Sequence, residues 1–230
     1  MIEIRKPACA GFLRYMPMKY DSVIFDLDGT LWDSRESIAQ SWSATLRAHV
    51  GSAAGVSLDD VTSIMGLTQS AIADKLFSQY GEKRYELCRL CMDGEIDYIK
   101  THGALVYDGA EDMLRALSAR VKLFAVSNCQ REYIDAFFAL TGFEKYFADY
   151  LTEGHTHLKK AENIALIAAR HGLKRPVYVG DTALDEQSAR QAGAAFIHAA
   201  YGFGTAESPD GRITSPRELI GLLCDSEGSI

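Results

Sequence analysis

The first regular pattern along the chain is Ser22 to Leu27, SVIFDL, a β-branched and aromatic run with the density of a strand buried on both faces. Similar runs recur at Val121 to Val126, Pro176 to Val179 and Ala194 to Ile197, each followed by small or polar residues. Between them the apolar positions fall at helical spacing, over Met113 to Leu117, Ile134 to Leu140, Ile164 to Ala168 and Leu184 to Ala192. Strand and helix patterns in alternation predict an α/β fold, a Rossmann-like parallel sheet with helices on both faces.

From about Asp33 to Tyr107 the alternation stops. Helical spacing continues through Ile38, Trp42 and Leu46, then Ile72, Leu76, Phe77 and Tyr80, then Leu87, Cys91 and Ile99, with no convincing strand. Ser57 and Thr68 fit helix N-caps. The stretch is far longer than a crossover needs. It predicts an inserted α-helical cap over 34–106, acting as a lid on a core made of 20–33 and 107–230. The linkers fall near Asp33-Ser34 and Tyr107-Asp108-Gly109. Residues 1–19 read as an N-terminal extension, either a flexible tail or a consequence of the start codon chosen, since Met16 and Met18 stand just before the first strand. Gly202-Phe203-Gly204 and Glu207 to Pro216 read as surface loops without function. Pro216 then opens a short helix with Leu219, Leu222 and Leu223 on its inner face.

Bulk properties narrow the functional classes. A chain of 230 residues, 47% hydrophobic and 24% charged, can bury a full core. A net charge of −7, with no cluster of Lys and Arg, argues against a nucleic-acid partner, which requires a basic face. An anionic ligand would have to be attracted locally, by a cation and a few placed donors. No apolar run approaches the roughly 18 residues of a membrane span, and Glu3, Arg5, Lys6 and Arg14 interrupt any signal-like segment. Five scattered cysteines, at positions 9, 88, 91, 129 and 224, predict free thiols and a cytoplasmic location. Nothing in the sequence fixes an oligomeric state.

The candidate chemistry sits at predicted strand ends, where ligand sites of open α/β sheets form. Asp26 and Asp28 leave the first strand one residue apart, with Gly29 behind them to permit a tight turn. Two carboxylates there are either helix-capping aspartates or ligands of a hard cation such as magnesium. Ser127-Asn128 follows the second strand, and Gly180-Asp181-Thr182-Ala-Leu-Asp185 follows PVYV. An i, i+4 spacing would place Asp181 and Asp185 on one side of the first helical turn, near its positive dipole end. Lys160 continues the stripe of Ile164, Ile167 and Ala168, whereas Lys159 is rotated by about 100° from it.

Asp26-Leu-Asp28-Gly29-Thr30, Ser127-Asn128, Lys160 and Gly180-Asp181 with Asp185, in this order, resemble the four signatures of the haloacid dehalogenase superfamily. The resemblance runs from about Tyr20 to Leu223, helical insert included, and is nearest to the phosphoglycolate phosphatase branch. It implies a magnesium-dependent phosphatase acting on a small phosphate ester through an aspartyl-phosphate. In that scheme Asp26 is the nucleophile and Asp28 the acid/base. Ser127, Asn128 and Lys160 bind the phosphoryl group, and Mg2+ belongs to Asp26, Asp28, Asp181 and Asp185. The Lys-Pro form of the third signature is replaced by Lys160-Ala161-Glu162-Asn163. A phosphomutase or pyrophosphatase on the same scaffold, or a non-catalytic phospholigand-binding protein, are the alternatives.

Within the insert, Gly66-Leu67-Thr68-Gln69 resembles a substrate-facing cap turn, but Gln69 lacks the charge with which hexose-phosphate mutases grip a distal phosphate. No Lys lies between Arg47 and Ala73 to form the Schiff base of phosphonoacetaldehyde hydrolases, and Asp28 speaks against haloacid dehalogenation. Cys88-x-x-Cys91 falls in a helical apolar pattern without a second ligand pair, which favours packing over zinc. His155 and His157 read as solvated loop residues close enough to Lys160 to approach a substrate, and Cys129 as a possible point of oxidation.

Overall fold

A computed structural model of the chain describes residues 17–224. The extension read over 1–19 therefore lies almost wholly outside the described residues. Met18 and Lys19 are inside them: Met18 bridges to Cys224, and the Lys19 N–H donates to Leu223 O, so these two residues belong to the core.

After β1 (Ser22–Phe25) and the two-residue β2 (Trp32–Asp33) come four helices: α1 (Arg35–Val50), α2 (Leu58–Thr62), α3 (Gln69–Leu76) and α4 (Arg84–His102). The chain returns through β3 (Leu105–Val106), α5 (Ala110–Ser118), β4 (Lys122–Ser127), α6 (Arg131–Thr141) and β5 (Phe147–Thr152). It continues with α7 (Glu153–Thr156), α8 (Lys160–His171), β6 (Pro176–Gly180), α9 (Ala183–Gln191), β7 (Ala195–Ala199), β8 (Gly211–Ile213) and α10 (Glu218–Leu223). Six strands form one parallel sheet in the order β5-β4-β1-β6-β7-β8. This is the expected α/β, Rossmann-like architecture.

Side chains alternate across a strand, and β1 divides them between two cores. Val23 and Phe25 face the side covered by Met113 and Leu117 of α5, Ile134 and Phe137 of α6, and Leu219 of α10. Ile24 faces the other, with Ile164 and Ile167 of α8 and Ala189 of α9. Burial on both faces is why these strands read as unbroken apolar runs.

Four strands escape the sequence pattern. β5 lies at the sheet edge and is only half buried, and Asp149 interrupts its apolar run. β8, at the opposite edge, falls within Glu207 to Pro216, so that stretch is not all loop; Ile213 is buried in the core. β2 and β3 pair antiparallel, Trp32 with Val106 and Asp33 with Leu105, and are too short to show a period. They join the chain where it leaves the sheet for the helical insert to the chain where it returns.

Within the insert α1 packs along α4, with the Trp42 indole N–H donating to Glu95 between them. Ser57 caps α2 through a reciprocal pair of bonds with Asp60. Thr68 occupies the N-cap position of α3 without a side-chain cap bond, its hydroxyl lying against Ser70 Oγ instead.

Candidate active site

β1 ends at Phe25, short of the expected Leu27, but the Asp26 N–H still donates to Val179 O at 2.9 Å. The ladder thus carries Asp26 to the carboxyl edge of the sheet before the chain turns. Leu27 O collects the N–H groups of Thr30, Leu31 and Trp32, and Gly29 makes the turn at φ 80°, a conformation that costs any residue with a Cβ. Ser127 ends β4 and Asp181 directly follows β6, at the same edge. The sheet order, with β1 between β4 and β6, is what gathers them.

Lys160 is the first residue of α8 and Lys159 its N-cap. Lys159 is exposed, whereas the Lys160 ammonium is buried, 2.6 Å from Asp185 Oδ1 and 3.1 Å from Asp26 Oδ1. Burial pulls its pKa down, but the carboxylates of Asp185 and Asp26 outweigh burial and hold it above the ordinary lysine value. The helix begins without proline because Glu162, its third residue, accepts the Lys159 N–H at 2.8 Å.

Asp181 and Asp185 do not share a helical turn. Asp181 precedes the N-cap Thr182, and α9 begins at Ala183. The two still converge: Asp26, Asp181 and Asp185 each bring one carboxylate oxygen within 4.8 Å of the others. Asp185 is already engaged at both oxygens, by Lys160 on one and by the N–H and hydroxyl of Thr182 on the other.

The donor set fits a hard cation. Asp181 is fully buried; its Oδ2 accepts the Phe203 N–H at 2.7 Å, and its Oδ1 has no hydrogen-bond partner. Asp26 Oδ1 meets the Lys160 ammonium as an ion pair at 3.1 Å and has no other partner. Burial first, then repulsion from neighbouring carboxylates, pushes both Asp26 and Asp181 up out of the ordinary carboxylate range. Three clustered carboxyls thus face one ammonium, and an oxygen-binding divalent ion relieves the imbalance. Gly202 belongs to this cradle, because a Cβ there would clash with Asp181 and with Gly29 O. The Gly202-Phe203-Gly204 loop, read from sequence as functionless, therefore positions Asp181.

The carboxylate of Asp28 is not in this cluster. It accepts bonds instead from Ser34, at the start of the insert, and, at 2.7 Å, from the Tyr133 hydroxyl of α6. Burial raises its pKa, and those two donors offset the rise only in part. Of the four carboxylates expected around a metal the structure brings three together. Ser34 and Tyr133 were not legible as site residues, since Tyr133 sits in the apolar pattern of α6 and looks like core.

Ser127 and Asn128 line a cavity together with Asp26 and Asp28. The Asn128 amide crosses to the insert and donates to Gly66 O at 2.8 Å. Cys129 also lines the cavity, but burial, with Asp28 adding to it, pushes its thiol well above the ordinary value. His155 is hydrogen-bonded to Thr152 Oγ1 and His157 is exposed in a left-handed turn; neither lines the cavity. Cys88 and Cys91 are buried in α4, with thiols pushed up to about 12 by burial, and they pack rather than ligate.

A parallel sheet that collects carboxyls and a buried lysine at its carboxyl edge, beneath an inserted helical layer, is the architecture of an α/β enzyme with an acidic, covered site. Residues 23–199 match the model of the haloacid dehalogenase-like hydrolases, and the chain belongs to that family. It is 26% identical to a phosphoglycolate phosphatase of Synechococcus elongatus over 210 residues, 86% of this chain and 95% of that one. It is 27% identical to a phosphoglycolate phosphatase of Aquifex aeolicus over 217 residues, 87% and 95% of the two chains. The crystal structure of a HAD-superfamily hydrolase from Geobacter sulfurreducens has the same fold, with a TM-score of 0.70 at 20% identity over 91% of this chain and 99% of that one. Among the described residues no helix is long and apolar enough to cross a membrane.

Proposed function

We propose that this hydrolase is a magnesium-dependent phosphatase that cleaves a small phosphomonoester through an aspartyl-phosphate on Asp26. The observation that carries the reading is the convergence of Asp26, Lys160, Asp181 and Asp185 at one sheet edge. In this reading Asp26 attacks phosphorus, the bond from phosphorus to the ester oxygen breaks, and Asp28 gives its proton to that oxygen. Asp28 then takes a proton from the water that attacks phosphorus, releasing phosphate and freeing Asp26. Lys160, Ser127 and Asn128 hold the phosphoryl oxygens. Asp26 and Asp181 would hold Mg2+, with Asp185 fixing Lys160 behind them, and the ion would supply positive charge to offset these carboxylates and the phosphoryl oxygens. Asp28 acts in proton transfer rather than as a carboxylate ligand.

Residues 34–106 serve as the cap, closing over the bond that breaks. The four described cysteines are unpaired, which supports a reducing, cytoplasmic setting. Phosphate release from a panel of phosphomonoesters with added Mg2+ tests the reading. Turnover is expected, with Asp26→Asn losing at least about a thousandfold in kcat. An active Asp26→Asn enzyme, or no turnover of any ester, would end the proposal.

A further inference from the structure

The cavity over Asp26 and Asp28 is roofed by apolar residues of the insert, among them Trp42, Ile64, Met65, Leu67 and Met92. One insert residue in this lining is ionisable. Glu95 of α4 is 4% exposed, and its Oε2 accepts the Trp42 indole N–H at 2.5 Å. Among the described residues no donor meets its other oxygen, and no Lys, Arg or His lines the cavity. Asp28, the proposed proton donor to the leaving oxygen, lines the same space, so the ester's alcohol part must lie here.

The charge balance of this space decides what it takes. A carboxylate or second phosphate on the alcohol part would be buried among apolar residues with no Lys, Arg or His in the lining to offset its charge. An ammonium group would meet the open oxygen of Glu95 and relieve the burial that pushes this carboxyl up to about 8. Size adds a limit. The cavity holds about 60 Å³. At about 10–15 Å³ per water-sized group, that is room for roughly four to six such groups, and because Asp26, Ser127 and Asn128 of the phosphoryl site line the same space, the alcohol part must be short.

We propose that Glu95 is a specificity-determining residue that selects phosphomonoesters of short amino alcohols and excludes those whose alcohol part carries a negative charge. The proposal rests on the phosphatase reading above and departs from the substrate after which the curated relatives are named. The experiment compares kcat/KM of the Mg2+-supplemented enzyme for aminoethyl, ethyl and hydroxyethyl phosphates and phosphoglycolate, with p-nitrophenyl phosphate as a generic ester. Aminoethyl phosphate is expected to exceed ethyl phosphate by about tenfold or more, as a charged hydrogen bond gives, with phosphoglycolate last. In Glu95→Gln the ratio of aminoethyl to ethyl phosphate is expected to fall about tenfold. That ratio is read within one protein, so partial misfolding does not alter it, and the wild-type ranking needs no variant at all.

Turnover of the generic ester with phosphoglycolate or hydroxyethyl phosphate equal to or above aminoethyl phosphate overturns the Glu95 assignment and leaves the phosphatase reading intact. An unchanged ratio in Glu95→Gln overturns it likewise. Hydrolysis of none of the esters removes both.

Discussion

At the scale of single residues, the two aspartates one position apart have opposite surroundings. Asp26 faces Lys160 and the carboxyl cluster, while Asp28 faces the hydroxyls of Ser34 and Tyr133. Burial pushes both carboxyls up, but only Asp26 has an ammonium beside it to favour the ionised form a nucleophile needs, while burial favours the proton on Asp28 that a donor needs. Tyr133→Phe deletes one donor to Asp28 and changes nothing at Asp26. Steady-state kinetics are expected to show kcat lower by about tenfold, KM little changed, and the pH profile of kcat moved toward higher pH as Asp28 keeps its proton longer.

Glu95 gives a second residue-scale prediction, on stability. Its folded pKa, about 8, is raised above the ordinary carboxylate value. Between the two values the folded protein keeps a proton that the unfolded chain releases, so stability is full below the ordinary value and is lost as pH rises toward 8. The slope is at most about 1.4 kcal/mol per pH unit. Glu95→Gln lacks it, while Asp26 and Asp181 contribute alike to both proteins. Urea denaturation from pH 5 to 8.5 is expected to show the wild type losing stability relative to Glu95→Gln as pH increases.

At the scale of elements, what joins the insert to the core is a small number of directed contacts. The β2–β3 pair ties the two connecting segments, and Asn128 at the end of β4 holds the Gly66 turn over the cavity. Asn128→Ala removes that bond, worth about 1 kcal/mol, and loosens closure. Phosphatase assays are expected to show kcat/KM lower by about fivefold to tenfold, with a rise in KM contributing. Helix starts show how much an element can hide. Lys160 followed by alanine gives no proline signal, yet Glu162 caps α8 just as firmly. The buried strands and amphipathic helices were legible because burial on one or both faces imposes a period. The edge strands β5 and β8 were not, because exposure on one side lets polar residues in.

At the scale of the whole molecule, the three clustered carboxyls store a cost that a bound cation returns. Mg2+ is expected to raise the melting temperature of the wild type, by up to about 2.7 kcal/mol of stability at a hundredfold excess over its dissociation constant, and to do much less for Asp181→Asn. Calorimetry with Mg2+ and with a chelator measures this without any turnover.

The sequence by itself determined the alternation of strands and helices, the position of the helical insert, and the candidate residues Asp26, Asp28, Ser127, Asn128, Lys160, Asp181 and Asp185, because each of these rests on local periodicity or on a short run of adjacent residues. It also favoured Lys160 over Lys159, and the structure buries the first and exposes the second, since a rotation of about 100° between neighbours is enough to do so. Only the tertiary structure decided that Asp28 turns away from the other carboxyls, that Phe203 supports Asp181, and that Glu95 is the lone carboxyl of the insert in the cavity wall. Those relations join residues tens of positions apart through packing, and a chain's local pattern carries no record of which distant side chain will face it.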